Sequence, residues 1–173
     1  IGDTKVNTFQ KSLERYAKVK HFNISSNPSD EQISRTLSAL QDYDLVIVSI
    51  QKTNESPSKN FGITTQAIKL VSALEEKNAV ILDVFASPYS LNKFLGAENV
   101  KALIVSYQDT RFAEESSAAL IFGGLQAKGQ LPITASKHFK LNDGLQTSEW
   151  VRLRYGSPED VGINSEDLVQ IDE

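Results

Sequence analysis

The sequence contains no cysteine and no methionine, and only two histidines, in 173 residues. Without cysteine there is no disulfide framework, no thiolate nucleophile and no Cys-based zinc site, so cysteine usage says nothing about the redox compartment. The histidines, His21 and His138, are too few for most metal clusters and lack the His-x-x-x-His spacing of a helical metal site. We therefore predict no metal ligand and no cofactor.

Long apolar runs and dense basic blocks are also missing. The longest apolar run, residues 45–50, has the length of a strand and falls far short of the roughly 20 residues that span a bilayer. Lys and Arg total 18 against 22 acidic residues, which argues against nucleic acid or an anionic membrane as a partner. No charged segment followed by an apolar one marks a signal peptide near Ile1, so we expect both ends to be interior points of a longer polypeptide.

Strand-like apolar runs alternate with amphipathic, helix-like runs along most of the chain. Helical spacing predicts helices from Thr8, from Ser29 (in a capping box with Gln32), over 64–76, from Pro88 to Phe94 and over 111–125. Strands are predicted over 19–24, 45–50, 79–85 and 101–106. This order predicts an α/β fold with an open, mostly parallel sheet flanked by helices on both faces, a flavodoxin-like three-layer sandwich.

Residues 129–134, Gly-Gln-Leu-Pro-Ile-Thr, follow the last helix-like run and its Gly123-Gly124 stop. They resemble the "GxLPVT" strand that closes the C-terminal α/β domain of glycoside hydrolase family 3. Four further segments resemble that family in its own order: 44–48, 78–89, 102–107 and 118–124. The resemblance covers roughly residues 1 to 135, and we predict the domain to span 1–142.

Residues 156–173 resemble the opening of a serine β-lactamase-like domain, whose first helix follows a "Pro-Glu-x-Val-Gly-(small)" turn. We therefore predict that 143–173 form a linker and the beginning of such a domain. This arrangement is similar to bacterial fusions of the β-N-acetylglucosaminidase branch, which implies periplasmic or cell-surface localisation.

The resemblance implies a parent enzyme that hydrolyses terminal β-linked N-acetylglucosamine or a related sugar with retention. Its Asp nucleophile and its His-Asp acid/base pair would lie on a barrel domain outside this sequence. We therefore expect an accessory, non-catalytic domain without catalytic residues of its own. Its expected partners are the barrel domain and the downstream β-lactamase-like domain, with carbohydrate at the domain interface as a further candidate.

The loop after the second predicted strand contains two catalytic candidates. In other branches of the family this domain donates a Glu acid/base from a loop, which makes Glu55 a candidate, although a solvated loop carboxylate is the simpler interpretation. Ser56 and Lys59 fit the Ser-x-x-Lys pattern of penicillin-recognising enzymes. That pattern needs both residues on one helical turn, whereas Pro57 and the polar surroundings predict a loop, and no Lys-Thr-Gly strand accompanies it.

Three single residues complete the candidates. His21 lies in a predicted strand and His138 in a predicted connector, and structural roles are expected for both. Asp83 lies at the end of a buried-looking strand, where a perturbed pKa is expected. A hydrogen bond to the backbone of a neighbouring loop is the expected explanation.

The alternative function is that of a flavodoxin-like ligand- or phosphate-binding module. Ligands of open α/β sheets collect beyond the carboxyl ends of the strands, and a phosphate could use helix N-terminal amides near the turn from Gly2 to Thr8.

A third hypothesis is that the chain is an interaction domain. Residues 51–61 and 150–155 combine apolar and polar groups outside the core pattern and would face the missing domains.

Overall fold

The computed structural model describes residues 1–94, 99–147, 158–162 and 164–165. Within these residues the sheet has three strands in the order β1-β2-β3, namely Leu45–Ile50, Ala79–Val84 and Ala102–Val105. Both neighbouring pairs are parallel, with Leu45 opposite Ala79 and Ile81 opposite Ala102. All three strands therefore end at the same edge of the sheet, which is called the carboxyl edge below.

In the described part of the chain, four α-helices surround the sheet: α1 Thr8–Leu13, α2 Asp30–Leu40, α3 Thr65–Glu75 and α4 Arg111–Ile121. Short 3₁₀ helices occupy Pro57–Gly62, Pro88–Lys93 and Pro158–Val161. The Ser29 capping box is present at the start of α2, and the hydroxyl of Thr64 caps α3. Helix α1 begins at Thr8, as predicted, and Asn7 caps it.

Two apolar clusters lie on the two faces of the sheet. On one face, α2 and α3 pack through residues such as Ile33 and Leu70 against Val48 and Leu82 of the strands. On the other face, Phe9 and Leu13 of α1 and Ala118 of α4 pack with Phe85, which follows β2. Alternate strand residues point to opposite faces, so the strands bury side chains on both sides. This arrangement confirms the predicted open parallel sheet with helices on both faces.

Gly123 lies just after the C-terminal end of helix α4 and stops the helix. Gly123 has φ +74°, in the left-handed region that a residue without Cβ adopts most readily. Its N–H donates to the carbonyl of Leu120 (3.0 Å), and the N–H of Gly124 donates to that of Ala119 (2.6 Å). This pair of bonds is the Schellman pattern and ends the helix four residues before the predicted end at 125.

Three predicted elements were wrong. Residues 19–24 are not a strand, because their neighbour in the described structure is only the chain around Gly2, whose N–H donates to Ile24 O (2.9 Å). Residues 129–134 do not join the sheet: Leu131 exchanges backbone hydrogen bonds of 2.8 Å with Asn142 and Asp143, in a segment that folds back on itself. The span from Pro88 forms a 3₁₀ helix over Pro88–Lys93 and no α-helix.

The predicted segment 150–155 and most of the tail lie outside the described residues. The helices of the described part are too short and too polar to cross a bilayer.

Candidate functional site

Polar side chains gather at the carboxyl edge, where α1 and α4 begin and β1 ends. The group is called the carboxyl-edge cluster, and its members are Asp3, Asn7, Gln51, Lys52, Asp109 and Glu114. Gln51 and Lys52 follow β1, Asp109 lies between β3 and α4, and Glu114 lies in the first turn of α4. The parallel topology brings these residues together from sequence positions more than 100 apart, as the bond between Phe9 and Glu114 illustrates.

Glu114 is the centre of this cluster and is only 6% exposed. One carboxylate oxygen accepts the backbone N–H of Phe9 (3.1 Å) and the other accepts the Gln51 side-chain amide (3.2 Å). The Gln51 carbonyl in turn accepts the side-chain amide of Asn7. Burial raises the pKa of Glu114, and the neighbouring Asp109 carboxyl raises it further by hydrogen bonding and charge. Glu114 therefore ties α1, β1 and α4 together.

Lys52 supplies the positive charge of the cluster. Its Nζ lies 3.8 Å from carboxylate oxygens of both Asp3 and Asp109, and its backbone N–H donates to Asp109 (2.8 Å). Lys52 has φ +55°, an uncommon conformation for a residue with a Cβ. The three acidic side chains outnumber this one cation, so the cluster does not favour an anionic ligand.

A second buried carboxyl lies deeper, within β2. Asp83 is fully buried, and it accepts hydrogen bonds from the hydroxyls of Ser106 (2.8 Å) and Ser117. Desolvation raises its pKa to about 6, against the opposing effect of the two serine hydroxyls. The perturbed pKa expected from the sequence is present. The expected hydrogen bond to a loop backbone is wrong. The partners of Asp83 are the side chains of Ser106, which follows β3, and of Ser117, which belongs to α4.

A comparison with known protein families identifies the family to which the chain belongs. A family model described as the glycosyl hydrolase family 3 C-terminal domain matches residues 3–164. The chain belongs to this family. No curated protein and no solved structure matches it. Glycosyl hydrolase family 3 membership makes the chain part of a glycoside hydrolase, whereas its branch and the domain boundary at 142 stay predictions.

In this family 3 domain the catalytic candidates from the sequence do not come together. Glu55 is exposed in the loop after β1. Ser56 and Lys59 lie at a 3₁₀ turn, in which Lys59 N–H donates to Ser56 O (3.1 Å), while the Ser56 hydroxyl pairs with that of Ser58 (2.9 Å). A Ser-x-x-Lys pair depends on an α-helical turn, and residues 56–59 do not form one.

The two histidines lie apart from the carboxyl-edge cluster. His21 Nε2 is 2.7 Å from Glu14 Oε1, and the His21 side chain is mostly buried while Glu14 is exposed. His138 is exposed in the turn where its backbone N–H donates to the Ser136 hydroxyl (3.2 Å). Among the described residues, no group of three His, Asp or Glu side chains is placed to hold a metal ion.

The helix N-terminal amides considered for phosphate are already engaged. In α1, Gln10 N–H donates to the Asn7 side chain (3.0 Å), and Phe9 N–H donates to Glu114. A phosphate there would have to displace Asn7 and lie beside the Glu114 carboxyl. The described geometry thus gives no support to the phosphate-binding alternative.

Asp109 and Glu114 were not predicted from the sequence, and Asn7 and Gln51 were included only within the ranges 2–8 and 51–61. Each lies directly after a strand or at the start of a helix, so the rule that sites form at the carboxyl edge could have selected these positions. What the sequence does not encode locally is the pairing of α1 with α4, which brings Phe9 to Glu114.

Proposed function

We propose that this chain is a non-catalytic accessory domain of a retaining family 3 glycoside hydrolase whose bond-breaking residues lie on a separate barrel domain. The main support is that the carboxyls of Asp83 and Glu114 are buried and hydrogen-bonded inside the domain. Both accept internal hydrogen bonds, and they are 0% and 6% exposed. A glycosidase carboxyl has to reach the scissile bond from an accessible cleft, and these two are committed to holding the fold.

We further propose that the parent enzyme removes terminal β-linked N-acetylglucosamine or a related sugar. The support comes from the sequence segments that resemble the family and from the β-lactamase-like turn at the C-terminal end, an arrangement similar to bacterial fusions of the β-N-acetylglucosaminidase branch. Residues Pro158–Val161 of this motif form a 3₁₀ turn, and the following Gly162 has φ +76°.

The carboxyl edge is the face that we propose to contact the barrel domain. Three aromatic side chains, Tyr89, Tyr107 and Phe112, follow β2 and β3 or begin α4 at this edge and are 54%, 44% and 79% exposed. Exposed aromatic groups gathered at one edge are typical of an interaction surface. The middle of the 51–61 loop is exposed at the same edge, whereas Gln51 and Phe61 at its ends are buried. Only the middle of that loop can therefore contribute to the interface.

The interface proposal is tested in the complete enzyme, with Tyr89→Ser, Tyr107→Ser and Phe112→Ser introduced singly. We expect at least one variant to weaken the contact with the barrel by about 1 kcal/mol or more, the usual threshold for an aromatic anchor. Limited proteolysis between the domains and the unfolding temperature measure this loss. Leu145→Ser is the control. Leu145 is 87% exposed and lies beyond the C-terminal end of α4, next to the segment in which Leu131 pairs with residues 142–143. Three silent aromatic variants would contradict the proposal.

The non-catalytic proposal is tested on the 173-residue chain itself. We expect no release of p-nitrophenol from p-nitrophenyl N-acetyl-β-D-glucosaminide above the buffer rate. Release that increases with protein concentration, and that disappears in Glu55→Gln, would contradict the proposal and make Glu55 the acid/base.

A further inference from the structure

The short turn between β3 and α4, residues 107–109, is attached to the carboxyl-edge cluster through Asp109. Tyr107 and Gln108 are exposed. Asp109 Oδ2 accepts the backbone N–H of Lys52 (2.8 Å) and lies 3.8 Å from Lys52 Nζ. The Asp109 carboxyl also hydrogen-bonds to Glu114, in the first turn of α4. The position of the turn therefore depends on the contacts of Asp109.

The backbone is strained on both sides of the bond between Lys52 and Asp109. Lys52 has φ +55° and Tyr107 has φ +60°. A left-handed conformation costs free energy for a residue with a Cβ and persists only where the surrounding structure imposes it. If Asp109 loses its contacts, Tyr107 can return to a negative φ. The turn thus has two accessible arrangements, one held and one relaxed.

The residues that flank this turn are held by bonds of their own. Ser106 N–H donates to Val84 O (2.9 Å), which keeps the end of β3 in place. The hydroxyl of Thr110 caps α4, and Glu114 N–H donates to Thr110 O (2.9 Å). A change at Asp109 can therefore move the turn while β3 and α4 stay formed.

The contact of Asp109 with Glu114 joins two carboxyl groups and depends on a proton. Glu114 is 6% exposed and the Asp109 side chain 17%. Burial raises the pKa of Glu114, and the Asp109 carboxyl raises it further, whereas the Thr8 hydroxyl and the Phe9 N–H oppose the shift. Protonated Glu114 can donate a hydrogen bond to the Asp109 carboxylate. Without that proton, two negative charges are in contact.

Other charged groups lie around this pair, and they have partners of their own. They are Asp3 and the Ile1 ammonium, which interact with each other, Arg111, which pairs with Glu115 (3.0 Å), and Asp83, which accepts the Ser117 hydroxyl. Asp3 also lies 3.8 Å from Lys52 Nζ. Lys52 is thus shared between two carboxylates already, and its single charge cannot neutralise Glu114 as well.

We propose that the proton shared by Glu114 and Asp109 is a latch on the 107–109 turn. With the proton, Asp109 stays against Glu114 and holds the turn at Lys52. Without it, the two carboxylates repel each other, Asp109 moves away from Glu114 and Lys52, and the turn is released.

The direction of the pH dependence follows from the raised pKa of Glu114. The folded chain binds this proton more tightly than the unfolded chain does. The stability that the latch contributes is therefore complete below the ordinary pKa of a glutamate and is lost as the pH rises through the raised pKa. The latch is closed in acid and opens as the pH rises.

Release of the turn frees Tyr107, one of the exposed aromatic residues proposed above to contact the barrel domain. The effect on that contact rests on the proposed function. The latch itself is a property of the 173-residue chain, so it is tested without the barrel domain, and a failure of one proposal is distinct from a failure of the other.

Amide hydrogen exchange of Lys52 tests the latch, because Asp109 is the acceptor of this N–H. Protection is measured relative to an unstructured peptide at the same pH, which removes the pH dependence of the exchange chemistry. The amides of Ser106 and Glu114, on either side of the turn, report whether β3 and α4 stay formed.

From pH 4 to pH 8, we expect the protection of Lys52 to fall by about tenfold or more, since strongly interacting carboxyls change each other's equilibria by about that factor. Ser106 and Glu114 should keep their protection over the same range, because their acceptors do not titrate.

Three variants identify the titrating group. Glu114→Gln and Asp109→Asn each remove one of the two charges and keep a side chain that can hydrogen-bond, so Lys52 should remain protected at pH 8 in both. Asp83→Asn removes the other buried carboxyl and should keep the pH dependence of the parent. If Glu114→Gln does not fold, Asp109→Asn decides.

Constant protection of Lys52 across this pH range in the parent would overturn the proposal. An equal fall in the variants at Glu114 and Asp109, or no fall in Asp83→Asn, would also overturn it, because another group would then be the switch. Loss of protection at Ser106 and Glu114 together with Lys52 would show that the whole edge opens, which contradicts a latch confined to the turn.

Discussion

Asp83→Asn is expected to stabilise this domain at neutral pH, although it removes a buried, doubly hydrogen-bonded carboxylate. Asp83 is fully buried between the hydroxyls of Ser106 and Ser117, and burial raises its pKa from 3.8 to about 6. The folded chain therefore binds the Asp83 proton more tightly than the unfolded chain does. The stability associated with that proton is complete below pH 3.8 and is lost as the pH rises through about 6.

The magnitude follows from the size of the shift. About two pKa units at about 1.4 kcal/mol each correspond to roughly 3 kcal/mol of unfolding free energy lost between pH 4 and pH 7.5. Asn has the shape of protonated Asp and carries no charge. Its carbonyl can accept one serine hydroxyl and its amide can donate to the oxygen of the other, so neither serine loses its partner.

Urea unfolding at pH 4 and at pH 7.5 is the assay. The parent is expected to lose roughly 3 kcal/mol more than Asp83→Asn between the two pH values, so that the variant is the more stable protein at pH 7.5. Asp42→Asn is the matched control, because Asp42 is exposed and its replacement should change stability little at either pH. If Asp83→Asn is less stable than the parent at pH 7.5 and equal to it at pH 4, the carboxylate is required as an anion and the reasoning is refuted.

Three further substitutions test the fold that supports the carboxyl edge. Phe61→Ala is expected to destabilise by about 3–5 kcal/mol, because Phe61 is 4% exposed in the main apolar cluster. Glu114→Ala should destabilise by about 2–3 kcal/mol, since it leaves the Phe9 N–H and the Gln51 amide without their carboxylate acceptor. Gly2→Ala should destabilise by more than the roughly 1 kcal/mol of a backbone strain effect, because its Cβ collides with the Gln51 carbonyl. Urea unfolding at pH 7.5 measures all three.

Each substitution has a matched control. Phe112→Ala removes an exposed phenylalanine (79%), and Glu115→Ala removes the neighbouring carboxylate, which forms a partly exposed ion pair with Arg111 (3.0 Å). Gly123→Ala adds a Cβ at φ +74° with no atom within 4 Å, so it isolates the conformational cost. A control that is as destabilising as the variant it matches would show that the stated cause is wrong. That cause is burial for Phe61, the carboxylate hydrogen bonds for Glu114 and the collision of the Cβ for Gly2.

Periodic local patterns were sufficient to predict the elements that carry their own signals. Helices α2 and α3 were placed within a residue or two because Ser29 and Thr64 provide caps and the apolar stripe repeats at helical spacing. The central strands were equally clear, since six consecutive largely apolar residues fit a strand buried on both faces.

The errors concern structure that depends on distant partners. Residues 19–24 alternate like a strand, but a strand needs a neighbouring ladder, and the described backbone bond to this segment is that of Gly2 N–H to Ile24 O. Residues 129–134 carry the family motif, yet the backbone hydrogen bonds of Leu131 go to residues 142–143. The carboxyl-edge cluster was missed for the same reason, because the contact of Phe9 with Glu114 joins helices far apart in sequence.

The central claim, that this domain supports chemistry performed elsewhere, is tested most directly by the kcat of the complete enzyme carrying Glu55→Gln, with p-nitrophenyl N-acetyl-β-D-glucosaminide as substrate. Glu55 is the exposed loop carboxylate that could act as an acid/base, and loss of such a group lowers the rate by about 10²–10⁴-fold. We predict a kcat within about twofold of the parent value, because an accessory domain contributes no proton-transfer group. A fall of about a hundredfold or more, at unchanged stability, would contradict the claim.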